Sequence, residues 1–164
     1  MRRLHVILWL LLCAATAVTG RPPAMADPGG PRAAIVIVVA RSSGIDDLSL
    51  DELRSIFMLK SGSRLRPLNL PPGAPERIAF ERVVLGMTAD QAARYWIERK
   101  IRGQGAPPKT IPTAQLLMRI VARVPDTIGY AADGPLPPGL KVVKIGGRSP
   151  SDRGYPLSVA RSAR

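Results

Sequence analysis

Two short segments of this sequence carry the residue types that bind anions. The first, Ser42-Ser43-Gly44, follows an apolar run and offers two hydroxyl groups and a glycine. The second is Arg77, which directly follows a helix start at Gly73-Ala74-Pro75-Glu76. Free N–H groups at a helix start and a nearby guanidinium attract oxyanions, and ligands of open α/β sheets lie at the carboxyl ends of strands. Ser42, Ser43, Gly44 and Arg77 are therefore predicted to line an anion-binding crevice. Turns of small residues beside a surface arginine are the alternative interpretation.

No catalytic site, cofactor or metal site is predicted, because the sequence has no histidine or cysteine after residue 26. The only histidine, His5, and the only cysteine, Cys13, lie within the first 26 residues. Without them the chain has no general base near neutral pH, no thiol nucleophile and no disulfide. The paired acids Asp46-Asp47 and Asp51-Glu52 are more typical of helix caps than of catalytic carboxylates. We therefore expect a protein without enzymatic activity.

The first 26 residues have the features of an export signal. Arg2 and Arg3 precede an apolar run, and Ala24-Met25-Ala26 is a small-x-small cleavage site. The run is shorter than the roughly 20 apolar residues that a membrane-spanning helix needs. Residues 1–26 are thus predicted to be a signal peptide and residues 27–33 a flexible lead-in, which places the protein in the periplasm or outside the cell. An uncleaved N-terminal anchor is the alternative.

Positive charge is the strongest bias in the composition. The formal net charge is +12, and removal of the three arginines before residue 27 leaves a net charge of about +9. Such a surface attracts phosphates, anionic lipid or polysaccharide. Nucleic acid is not expected as a partner, because the protein is predicted to be exported and only 4% of its residues are aromatic. A solvated arginine-rich surface without any partner is the alternative.

Local patterns predict the first strand and the starts of two helices. The β-branched run within residues 34–40 is typical of a strand that is covered on both faces. Ser49 with Glu52, and Thr88 with Gln91, stand three residues apart. This spacing lets each side chain satisfy a free backbone N–H at a first helical turn, so both pairs are predicted capping boxes.

The order of the remaining patterns predicts an α/β domain over residues 34–146. Further predicted elements are helices over 50–59, from Pro75, after Thr88 and from Thr113 to Pro125, and strands over 66–70, 127–132 and 141–145. The helix after Thr88 is expected to bury Ala92, Trp96 and Ile97. Together the elements predict a three-layer fold, with a mixed sheet flanked by helices. Residues 147–164 are expected to form a polar, basic and loosely ordered tail.

Several segments resemble, in order and spacing, the substrate-binding proteins of phosphate ABC importers, which have the type 2 periplasmic-binding fold. The segments are Leu-Ser-Leu-Asp-x-Leu-x-x-Ile-Phe at 48–57, Gly86-Met87-Thr88, Tyr95-Trp96, the glycine-proline turn at 103–108, Ile128-Gly129-Tyr130 and Tyr155-Pro156-Leu157. The resemblance covers residues 35–158 and implies a single lobe of that fold. It further implies a non-enzymatic role, phosphate or a related small anion as ligand, and an ABC permease as partner.

The sequence departs from that family at the phosphate site. Family members carry an arginine at the strand end and Ser-Gly-Thr at the next helix start, whereas this chain has Asn69-Leu70 and Ala74-Pro75-Glu76. The hydroxyls are missing, and the acid would repel phosphate, so the family's site is not expected to be preserved. Two hypotheses remain: a solute-binding-like domain that binds an anion weakly or assists a transporter, and a cationic module that binds anionic lipid or polysaccharide of the envelope. The oligomeric state is left open.

Overall fold

Strands and helices alternate along the computed structural model, which describes residues 32–60 and 62–160. The strands of this part are β1 (Arg32–Ala40), β2 (Asp47–Leu48), β3 (Arg66–Asn69), β4 (Lys109–Thr110), β5 (Thr127–Ala132), β6 (Leu140–Ile145) and β7 (Ser158–Ala160). The helices are α1 (Leu50–Phe57), α2 (Pro75–Phe80), α3 (Ala89–Ile101) and α4 (Ala114–Arg123), and α2 continues into a π-helical turn over Glu81–Leu85. The predicted signal peptide, residues 1–26, lies outside the described residues.

The strands form one mixed sheet in the order β2-β6-β1-β5-β3-β4, with β7 paired to the start of β1. β1 lies at the centre and is antiparallel to β5 and β6. β5, β3 and β4 run parallel to one another. The β-branched residues of β1 are buried on both faces, as their unbroken apolar run predicted.

Helices cover both faces of the sheet, which confirms the predicted three-layer α/β fold. Successive residues of a strand point to opposite faces. A Cβ at Gly129 in β5 would point into Leu117 and Val121 of α4. The next residue, Tyr130, instead packs its ring against Phe57 of α1 and Phe80 of α2. α4 therefore forms one outer layer, and α1 and α2 form the other.

Both predicted capping boxes are present. The Ser49 hydroxyl accepts from Glu52 N, and Glu52 Oε2 accepts from Ser49 N at 2.8 Å. Thr88 and Gln91 make the equivalent pair at the start of α3. These hydrogen bonds to Ser49 lower the pKa of the Glu52 carboxyl. The prediction that α3 buries Ile97 is wrong: this side chain is 58% exposed, and the buried residues of α3 are Ala92 and Trp96.

The domain extends beyond both boundaries expected from the sequence. β1 begins at Arg32, inside the predicted lead-in, and its first three residues pair with β7. Tyr155 and Leu157, inside the predicted tail, are buried in the core. The Tyr155 hydroxyl donates to Ile35 O at 3.1 Å. Two apolar side chains in an otherwise polar stretch thus tie the chain after residue 154 to the central strand.

Candidate functional site

The two predicted anion-binding segments lie at opposite edges of the sheet. Ser42–Gly44 follows the carboxyl end of β1, whereas Arg77 contacts Leu70 at the carboxyl end of β3. β3 runs opposite to β1, and the register of the intervening β5 places Leu70 level with Val36, six residues before Ser42. At about 3.3 Å per residue, the two segments are separated by roughly 20 Å along the strands. The expectation that they share one crevice is wrong, because the strand order separates them.

Arg77 forms a buried ion pair at the end of β3. Its Nε donates to Glu81 Oε1 at 2.7 Å, and its Nη1 donates to Leu70 O at 2.8 Å. The two side chains are 11% and 4% exposed. The guanidinium charge is thus balanced by a carboxylate one helical turn away, and the contact with Leu70 joins α2 to β3.

A second buried polar group lies at the same strand end, on the face of the sheet that α2 covers. The hydroxyl of Tyr130 donates to Asn69 Oδ1, and Leu70 N also donates to this oxygen at 3.1 Å. Burial raises the pKa of the Tyr130 hydroxyl above its ordinary value, so the group stays a neutral donor. The Tyr130 ring stacks on Phe80, with centroids 4.2 Å apart. The chain's own side chains therefore fill the position where an open sheet offers its strand ends to a ligand.

The start of α2 offers few donors to an anion. Ala74 occupies the N-cap and makes no side-chain hydrogen bond. Pro75 follows and has no N–H, and Glu76 adds a negative charge in the first turn. α2 itself has only six residues. These features leave Arg77 as the only cation among the residues at this helix start, and its charge is already paired.

The loop after β1 is more open. Ser42 and Gly44 are exposed, and Ser43 Oγ accepts from Ile45 N at 3.3 Å. A Cβ at Gly44 would meet nothing within 4 Å, so no packing requirement explains the glycine. The preceding residue, Arg41, is exposed, and its N donates to Gly139 O at 2.7 Å. This contact joins the loop to the residues that precede β6.

The described residues contain neither a metal site nor a membrane-spanning helix. No group of three or more His, Cys, Asp or Glu side chains within residues 32–60 and 62–160 is arranged to hold a metal ion. Among the helices of this same part, none has the length and apolar character needed to span a bilayer.

Neither Glu81 nor the Asn69–Tyr130 hydrogen bond at the end of β3 was predicted from the sequence. The four-residue spacing of Arg77 and Glu81 in a helix could have indicated their ion pair. Asn69 and Tyr130 are 61 residues apart, so no local pattern indicated their hydrogen bond.

Comparison with known proteins supports the fold but not a close relationship. No protein-family model and no curated protein matches the sequence. Among solved structures, an ABC-type phosphate transport receptor from Vibrio cholerae matches with a TM-score of 0.63 and 14% identity, over 77% of this chain and 54% of that one. A protein assigned as a phosphate ABC transporter substrate-binding protein, with bound phosphate, from Clostridium perfringens matches with a TM-score of 0.63 and 16% identity, over 77% and 53%. PstS from Borrelia burgdorferi matches with a TM-score of 0.59 and 10% identity, over 77% and 55%.

These matches establish the fold of the chain. At 10–16% identity they carry no residue-level correspondence. The chain spans about half the length of the solved structures that it matches. The resemblance seen in the sequence is thus supported as a relationship of folds.

Proposed function

We propose that this chain is an exported, non-enzymatic domain of the solute-binding fold that assists phosphate-type anion uptake through an ABC transporter. The fold shared with three phosphate-transport proteins supports this role. The signal-like first 26 residues support export, and the chain after them contains no histidine or cysteine for acid–base or nucleophilic catalysis.

The Arg77–Glu81 ion pair carries the argument for an accessory role instead of a receptor role. A receptor needs free hydrogen-bond donors where its anion binds. At the end of β3 the Arg77 guanidinium is paired at 2.7 Å with the buried Glu81 carboxylate. An entering phosphate would face Glu81 and Glu76 as well as Arg77, and like charges at close range oppose binding.

Calorimetric titration with phosphate tests this role. We expect a dissociation constant no tighter than about 1 mM, corresponding to roughly −4 kcal/mol. Titration of Arg77→Gln, with Arg82→Gln as an exposed control, locates any binding that is found. Micromolar affinity that is lost in Arg77→Gln and kept in Arg82→Gln would mean that the chain is a receptor, and would overturn the accessory role.

Uptake and export are tested separately in cells. Deletion of the gene is expected to lower the rate of radioactive phosphate uptake, and unchanged uptake would contradict the transport role. Residues 1–26 fused to alkaline phosphatase, a reporter active only outside the cytoplasm, are expected to give activity. An inactive reporter that is stably expressed would contradict export.

A second candidate function is a cationic module that binds anionic lipid or polysaccharide of the envelope. The edge at the carboxyl end of β1 favours it, because Arg41, Arg66, Arg119 and Arg123 are all exposed there. Binding to vesicles containing phosphatidylglycerol is expected to weaken as salt is added, because charges are screened over about 8 Å at physiological ionic strength. Salt-independent binding would contradict this function.

A further inference from the structure

A surface cleft of about 290 Å³ lies between α4 and the segment that joins β5 to β6. Its lining consists of Arg119, Ala122, Arg123, Pro137 and Pro138. β5 and β6 are both antiparallel to β1, which lies between them, so residues 133–139 must cross the sheet to reach β6. This crossover has no helix and runs beside α4. At its end, Gly139 has φ +90°, and a Cβ there would lie 3.5 Å from Ala122 O.

The two arginines of the cleft are four residues apart, so they are neighbours on one face of α4. Both are exposed. Within the described residues, neither forms a salt bridge or a side-chain hydrogen bond, whereas Arg54, Arg77 and Arg102 each pair with an acid. Like charges at this spacing repel, and the repulsion destabilises a helix. An anion held between the two guanidinium groups would remove it.

Compensation of the helix dipole explains only one of these charges. Arg123 lies in the last turn of α4, where a cation offsets the partial negative charge of the helix end. Arg119 lies one turn earlier, and the dipole effect falls off within the last turn. Helix termination therefore accounts for Arg123 but not for Arg119, which lies beside it in the cleft opposite Pro137 and Pro138.

Neighbouring charges raise the local potential around the cleft. Arg41 N bonds Gly139 O next to Pro138, and Arg66 Nη2 donates to Pro125 O just after α4. Nearby, Asp126 follows Pro125 in the chain, and Asp46 is paired with Lys141. An excess of like charge around a concave surface concentrates counter-ions there.

We propose that this cleft binds a tetrahedral oxyanion of the phosphate class, held between the guanidinium groups of Arg119 and Arg123. Guanidinium groups match phosphate oxygens with paired, charge-assisted hydrogen bonds. The volume is near the lower limit of about 300 Å³ for small-molecule sites, which suits a phosphate group better than a larger ligand. Free phosphate and the phosphate of a lipid headgroup share this chemistry.

The experiment compares three double variants of the purified protein, two of which lose the same two positive charges. Arg119→Gln/Arg123→Gln removes the site, and Arg82→Gln/Arg94→Gln removes two exposed arginines elsewhere. Arg119→Lys/Arg123→Lys keeps the charge and loses the paired hydrogen-bond geometry. Each protein is titrated with inorganic phosphate by calorimetry and sedimented with vesicles of phosphatidylcholine, with and without phosphatidylglycerol. Far-ultraviolet circular dichroism and a thermal melt verify the fold of each variant.

We expect the glutamine pair at 119 and 123 to weaken binding about tenfold or more, and the lysine pair to weaken it by less, whereas the control pair changes it by less than about twofold. An effect on phosphate identifies a free-anion site, and an effect on vesicles alone identifies a headgroup site; either result supports the proposal. Equal loss in the test and control pairs would overturn it, because binding would then depend on net charge. Failure of the unmodified protein to bind either probe would also overturn it. The uptake and export experiments stand independently of this result.

Discussion

Replacement of Glu81 by alanine is expected to destabilise the protein severely. The change leaves the Arg77 guanidinium, which is 11% exposed, without the carboxylate that it contacts at 2.7 Å. Loss of one partner of a buried ion pair costs about 3–5 kcal/mol, because a charge stays buried without compensation. Small domains have a total stability of about 5–15 kcal/mol, so the variant would lose a large fraction of it.

The Glu98–Arg102 pair is the matched control. It has the same four-residue spacing, but its atoms are 3.6 Å apart and its side chains are 65% and 63% exposed. Exposed pairs contribute about 0–1 kcal/mol, so Glu98→Ala is expected to have a small effect. Arg77→Met/Glu81→Leu, which replaces both charges by apolar groups, is expected to recover most of the stability lost in Glu81→Ala.

Urea unfolding followed by tryptophan fluorescence measures these differences. With a slope of about 1–3 kcal/mol per molar urea, a loss of about 3–5 kcal/mol makes Glu81→Ala unfold roughly 1–5 M earlier than the unmodified protein. An unchanged slope would confirm that stability, and not the compactness of the unfolded state, has changed. A midpoint shift for Glu81→Ala no larger than that for Glu98→Ala would refute the reasoning, and with it the assignment of Arg77 to a structural pair.

Three further predictions concern the core and one helix start. Burial raises the pKa of Tyr130 and Tyr155, so these hydroxyls ionise first in the unfolded chain, and the free energy of unfolding should hold up to about pH 10 and fall above it. Urea midpoints measured from pH 7 to 11 test this dependence. Tyr130→Phe should reduce the alkaline loss of stability, while costing about 1–3 kcal/mol at neutral pH because the bond to Asn69 is lost. Gly129→Ala should cost about 1–3 kcal/mol in the same assay, because the new Cβ would overlap the buried Leu117 side chain; a neutral result would mean that α4 can move away from β5. Ser49→Ala removes the α1 cap and should cost about 1 kcal/mol, whereas Ser49→Asp should retain most of the stability; equal losses in the two variants would contradict the capping role.

Local chemistry made a large part of the fold predictable from the sequence. Capping boxes at Ser49 and Thr88 depend on residues three positions apart, and both form as predicted. The unbroken β-branched run of β1 leaves no polar side chains to face solvent on either side of the strand. It therefore predicted a strand inside a sheet that is covered on both faces. The motif order also indicated the fold that the structural comparisons support. These signals succeed because the interacting groups are neighbours in the chain.

Tertiary structure decided the candidate sites. Sequence showed hydroxyls at Ser42 and Ser43 and a cation at Arg77, but only the antiparallel direction of β1 relative to β3 reveals that they lie at opposite edges. The partner of Tyr130 is 61 residues away, and the strand that pairs with the start of β1 lies more than 120 residues further along the chain. The cleft lined by Arg119 and Pro138 exists only because a crossover passes beside α4. Strand order brings such distant groups together, and it is determined by the packing of the whole core, which no short stretch of sequence contains.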